Sequence, residues 1–63
     1  MNATARPPVA RVTGGGRGSG AATSRLLAQQ GWAVLVADID EAASAKIAAE
    51  ITDAGGSAVA AQG

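Results

Sequence analysis

The chain of 63 residues contains no cysteine, histidine, tyrosine or phenylalanine, and a single tryptophan, Trp32. Without cysteine there is neither a disulfide framework nor a thiolate metal site, and without histidine the commonest metal ligand is gone. Metal chemistry is therefore not expected. One aromatic residue cannot build a stacking platform, and the arginines are spaced singly, so nucleic-acid binding is not indicated. No apolar run approaches the roughly twenty residues of a membrane span. The start, Met1 to Pro8, also lacks the apolar stretch of a signal peptide, and an organelle transit peptide is the weaker reading of its arginines. It reads as a disordered leader on a cytoplasmic chain, with no membrane partner. At this length one small domain with a limited core is expected.

Formal charge balances at zero but is unevenly laid out. Arg6, Arg11, Arg17 and Arg25 precede every acid, whereas Asp38, Asp40, Glu41, Glu50 and Asp53 share the second half with Lys46. What the chain has in abundance is glycine, nine residues, of which five fall in the run Thr13-Gly14-Gly15-Gly16-Arg17-Gly18-Ser19-Gly20.

The periodicity around that run is that of an α/β protein. Val9 to Thr13 is short, β-branched and stopped by glycine, as a buried parallel strand would be, with Arg11 as its misfit. Ser19 to Gln30 reads as a helix with Ala22, Leu26 and Leu27 on its apolar side, Ser24, Arg25 and Gln29 on its polar face, and Gly31 at its end. Ala33 to Ala37 is continuously apolar, the pattern of a strand covered on both faces, and delivers Asp38 at its C-terminal end. Asp40 is positioned to cap a second helix in which Ala43, Ile47, Ile51 and Ala54 form one stripe, closed by Gly55-Gly56. Ser57 to Gln62 is a weaker third strand. The order β-α-β-α-β predicts a three-stranded parallel sheet, one mononucleotide-binding half of a Rossmann fold, over residues 9–63.

In that frame the glycine run reads as a dinucleotide-binding turn. A pyrophosphate must approach backbone N–H groups at a helix N-terminus, where unpaired donors and the helix dipole favour an anion. Side chains would obstruct it, and glycine removes them. Context carries the inference, because the run follows a strand, opens a helix, and is followed eighteen residues after Gly20 by Asp38 at the end of the second strand. The competing phosphate loop, G-x-x-x-x-G-K-[ST], would run from Gly15 to Gly20, but Ala21 and Ala22 stand where it needs lysine and a hydroxyl. An ATPase or GTPase is thereby excluded.

Thr13-Gly14-x-x-x-Gly18-x-Gly20 resembles the T-G-x-x-x-G-x-G fingerprint of the short-chain dehydrogenase/reductase family. The likeness continues through Gly20-Ala21-Ala22-Thr23, Leu27-Ala28, Gly31, the Val34 to Asp40 segment and Ala54-Gly55-Gly56. The resemblance implies a nicotinamide dinucleotide, with Gly14, Gly18 and Gly20 shaping the pyrophosphate turn together with Arg17 and Ser19. Asp38 would accept from the adenine-ribose hydroxyls, with Ile39 beside the adenine. A carboxylate there repels the extra phosphate of NADP, so NAD is favoured. Arg17 argues mildly the other way.

Arg11 and Ser19 stand where the family places apolar residues and would face packed interior, so either the strand is not buried here or the fold is weakened. The family's catalytic serine and Tyr-x-x-x-Lys pair have no counterpart, and Lys46 falls on the polar side of the second helix. Hydride transfer in the family uses that tyrosine as acid or base. The leading reading is thus the amino-terminal cofactor-binding fragment of an NAD(P)-dependent short-chain oxidoreductase, with no catalytic residue of its own. The alternatives are a free-standing nucleotide-binding or dimerising module, with the Val9 to Thr13 strand pairing to another chain, and a gene remnant without a selected role.

Overall fold

The computed structural model describes residues 8–62. The leader expected over residues 1–8 lies outside it except for Pro8, whose carbonyl accepts a hydrogen bond from Ala33 N–H at 2.8 Å. Strand β1 (Val9–Thr13), helix α1 (Gly18–Gln29), strand β2 (Ala33–Asp38), helix α2 (Glu41–Asp53) and strand β3 (Ser57–Gln62) follow in order. The sheet is parallel with order β1-β2-β3, pairing Arg11 with Leu35 and Leu35 with Val59. Both helices end as the glycines predict. Gly31 N–H bonds Ala28 O and Trp32 N–H bonds Leu27 O; Gly55 N–H bonds Thr52 O and Gly56 N–H bonds Ile51 O. These paired bonds satisfy carbonyls that a helix end otherwise leaves open.

Side chains alternate across a strand, so the sheet sorts its residues into two faces. Val12, Val34, Val36 and Ala58 meet the helices, where Ala21, Ile47, Ala48 and Ile51 complete the core with Leu27, Ala28 and Trp32 at its margin. Val9, Arg11 and Val59, on the other face, are exposed. Leu35 and Ala33 are only half-buried. The continuous apolar run of β2 was expected to be covered on both faces; the helices cover one face, and on the other Ala37 is buried whereas Ala33 and Leu35 are not. Arg11 and Ser19, expected in packed interior, are both exposed.

The buried side of α1 also differs from the expected one. Ala21 and Ser24 are buried, whereas Ala22 is exposed and Leu26 is 54 % exposed. Size decides here rather than hydropathy. Close approach of the helix to the glycine turn admits only small side chains, and the Ser24 hydroxyl is satisfied by donating to Gly20 O at 2.9 Å. In α2, Ile47 and Ile51 face the core as expected, joined by Ser44 and Ala48. Ala54 instead stands at the C-cap and is exposed, because the chain there already turns toward β3.

Candidate functional site

The C-terminal ends of β1 and β2 carry the site. Past Thr13 the chain stays beside β2 for two more residues, with Gly15 N–H donating to Ala37 O at 2.9 Å. Gly14 (φ 67°) and Gly18 (φ 55°) take left-handed backbone conformations that other residues rarely adopt, and added Cβ atoms there would face open space. The remaining glycines are small because of what they touch. A Cβ on Gly20 would overlap the Gly14 carbonyl oxygen, and one on Gly16 would come within 2.8 Å of the backbone where Ala43 joins Ser44. The turn is thus open on its outer side and wedged against α2 on its inner side.

Helix α1 begins from this turn without a cap. Arg17, its N-cap residue, is extended and makes no side-chain capping bond, and no acidic residue occupies the first turn. The first i→i−4 bond runs from Ala21 N–H to Arg17 O, so the preceding amides of Gly18, Ser19 and Gly20 lie ahead of the ladder. Helix α2 contrasts with it. There Asp40 accepts from Ala43 N–H at 3.1 Å and Glu41 stands in the first turn. One helix supplies its own anion, while the other leaves its positive end open beside glycines.

Asp38 lies at the mouth of the turn and is held from three sides. Its Oδ1 accepts from Asp40 N–H at 2.9 Å and faces Arg17 Nη2 at 3.6 Å, and its Oδ2 accepts from Gly16 N–H at 3.2 Å. The Asp38 side chain is 2 % exposed and that of Arg17 is 64 % exposed. Donation from Asp40 N–H holds the Asp38 carboxyl below its ordinary value; burial opposes this, and Gly16 N–H and the Arg17 charge reinforce it. Ile39, next in the chain, is exposed.

A carboxyl group whose folded pKa is depressed stabilises the fold above its unfolded value, and that contribution disappears as pH falls through the folded one. Stability is therefore expected to be flat toward neutral pH and to decline below the ordinary Asp value of 3.8. Asp38→Asn should be less stable at neutral pH with a shallower acid limb. Far-UV circular dichroism against pH checks both slopes.

Gly14, Arg17, Gly18, Ser19, Gly20 and Asp38 are thus brought together at one end of the sheet, with Ile39 at its rim. Sequence reasoning missed Gly15 and Gly16 as separate participants. Both are buried, and Gly16 is the link between the turn, α2 and Asp38. Their place inside the glycine run was the available signal, but the spacing alone does not distinguish an open glycine from a wedged one. Among the described residues, no group of three or more acids is close enough to hold a metal, and no helix is long and apolar enough to cross a membrane.

The sheet, the glycine turn and the acid at the end of β2 define one half of a Rossmann-type nucleotide-binding fold. A family model described as short chain dehydrogenase matches residues 8–63, and the chain belongs to that family. It is 50 % identical over 52 residues to a cyclohexanol dehydrogenase of Acinetobacter sp. (strain SE19), an alignment covering 82 % of this chain and 21 % of that protein. A 3-ketoacyl-ACP reductase from Sinorhizobium meliloti 1021 superposes with a TM-score of 0.86 at 39 % identity, over 89 % of this chain and 22 % of that one. A 7α-hydroxysteroid dehydrogenase complexed with NADH and 7-oxo glycochenodeoxycholic acid superposes with a TM-score of 0.85 at 34 % identity, over 87 % of this chain and 22 % of that one. The chain thus spans about a fifth of the length of the proteins it matches. Members of the family bind NAD or NADP.

Proposed function

We propose that this chain is the amino-terminal, dinucleotide-binding part of a short-chain oxidoreductase that moves hydride between a nicotinamide and an alcohol or carbonyl compound, and that it prefers NAD. The observation that carries the reading is the uncapped start of α1, opening from glycines whose outer side is free, with the Asp38 carboxylate 3.2 Å from Gly16 N. The names of the similar proteins, an alcohol dehydrogenase and a ketone reductase among them, support the reaction class.

In this reading the amides of Gly18, Ser19 and Gly20 take the pyrophosphate, and Gly14 and Gly18 keep its approach clear. Asp38 accepts from the adenine-ribose hydroxyls, and the exposed Ile39 side chain lies against the adenine. The bound dinucleotide supplies the hydride acceptor or donor. This chain holds and orients it, and no residue here is assigned to proton transfer. Preference for NAD follows from charge, because a 2′-phosphate would be forced against a buried carboxylate kept ionised by its amide donors.

Isothermal titration calorimetry with each dinucleotide tests this. Saturable heat with NAD, and affinity for NADP weaker by at least about tenfold, is expected from like-charge repulsion. No heat with either would contradict it. A second reading, self-association, draws on the outer edge of β1, to which no strand is paired among the described residues. An antiparallel pair symmetric about the middle of β1 would set Arg11 against Arg11 of the other copy, a repulsive arrangement, so a shifted register is required. Sedimentation across a concentration series separates monomer from dimer.

A further inference from the structure

The Asp38 carboxylate is already occupied in the very geometry that is meant to receive a ribose. A carboxylate offers about four lone-pair positions, and a vicinal diol asks for two of them. Oδ1 is engaged by Asp40 N–H and the Arg17 guanidinium, Oδ2 by Gly16 N–H, and the side chain is 2 % exposed. The two N–H donors leave one lone-pair position on each oxygen, but the guanidinium lies over Oδ1 and the side chain is 2 % exposed, so a diol reaches both oxygens only once a covering group moves aside.

The three partners are not equally free to go. Gly16 is buried and packed so closely beside α2 that even a Cβ on it would come within 2.8 Å of the Ala43–Ser44 backbone, so it has little room to shift. Asp40 is fixed as the cap of α2 by its own bond to Ala43 N–H. Arg17 alone is mobile in principle, with a side chain 64 % exposed and a contact of 3.6 Å, longer than a hydrogen bond. We infer that Arg17 is a displaceable cover on Asp38, competing with the ribose 2′-hydroxyl for Oδ1, and so sets how strongly the site discriminates for that hydroxyl. The inference deepens the dinucleotide reading and rests on it.

Arg17 also lies near the place given to the pyrophosphate, so its effect on total affinity is ambiguous and a ratio is needed. Affinities for NAD and for 2′-deoxy-NAD, which lacks the adenosine 2′-hydroxyl, are measured by calorimetry on the wild-type chain, Arg17→Met and Arg17→Lys. Only NAD must displace Arg17. The preference for NAD over the deoxy analogue is therefore expected to rise about threefold in Arg17→Met, the scale of one exposed ion pair. In Arg17→Lys, which keeps the charge, it should return toward the wild-type value. Added salt should raise the wild-type preference and leave that of Arg17→Met unchanged, since salt screens exposed pairs. Arg17 caps α1 with its backbone only, so unchanged far-UV circular dichroism is expected for both variants. An unchanged ratio with binding intact overturns the inference and leaves the dinucleotide reading standing, as expected if Arg17 serves the pyrophosphate alone. Failure of the wild-type chain to bind either compound overturns both.

Discussion

Gly20→Ala is expected to abolish dinucleotide binding and to destabilise the chain by about 1–3 kcal/mol or more, the range for forcing extra atoms into a packed site. The new Cβ would overlap the Gly14 carbonyl oxygen and come within 2.7 Å of its carbonyl carbon. Both are backbone atoms, so no rotamer change relieves the clash. Either the first turn of α1 lifts away from the glycine turn, or Gly14 gives up the left-handed conformation that shapes it. Either movement also strains the bond from Ser24 Oγ to Gly20 O. The two consequences are therefore linked. Urea denaturation and calorimetry on the same variant should show lower stability and no binding, whereas retention of wild-type NAD affinity would count against the role of this crossing.

Ile51→Ala is expected to leave the chain largely unfolded at ordinary temperature. Ile51 is 4 % exposed, and together with Ile47 it provides the large aliphatic side chains of α2 in a core otherwise built of valine and alanine. Truncating a buried isoleucine to alanine costs about 2–5 kcal/mol. Native domains have roughly 0.05–0.15 kcal/mol of stability per residue, which for a chain of this length is about 3–9 kcal/mol. The loss is of the same size as the whole. Ile51 also supplies the carbonyl that accepts from Gly56 N–H at the end of α2, so loosening it disturbs the entry to β3. Loss of the helical dichroism signal at 25 °C in Ile51→Ala checks the expectation, and a cooperative melt close to that of the parent chain would refute it.

The legible parts of this fold are those in which one local rule decides the outcome. Gly31 and Gly55-Gly56 end helices because the paired bonds of those ends need a residue free of a Cβ penalty, and Asp40 caps α2 because its side chain reaches Ala43 N–H. Asp38 falls at the end of β2 because the apolar run stops there. What remained hidden depends on distance between elements. Ser24 is fully buried and Leu26 half-exposed, the reverse of their hydropathy, because the closeness of α1 to the glycine turn is a property of the packed pair. Periodicity along one helix does not contain that closeness. Likewise Asp38 was recognised as an acceptor, and its bond from Asp40 N–H is local, but its engagement by Gly16 and Arg17 arises only when the glycine turn and β2 converge.

Arg11 and Ser19 were expected in packed interior because family resemblance assigns apolar residues to their positions. In this chain Arg11 lies on the sheet face that no described element covers, in register with Leu35 and Val59, and Ser19 lies in the outward part of the first turn of α1. Neither is an unpaired polar group in a dry core, so neither carries the penalty that burial would impose.

The central claim, that a dinucleotide sits on the glycine turn with its ribose at Asp38, is tested most directly by amide NMR of the chain titrated with NAD. Saturable shifts should appear at Gly14, Gly18, Ser19 and Gly20, and at Gly16 and Asp40, whose amides donate to Asp38. The surface hollow of about 200 Å³ between the helices, lined by Arg25, Ala28, Glu50 and Ile51, should be unaffected. Shifts confined to that hollow, or none at saturating NAD, would contradict the account.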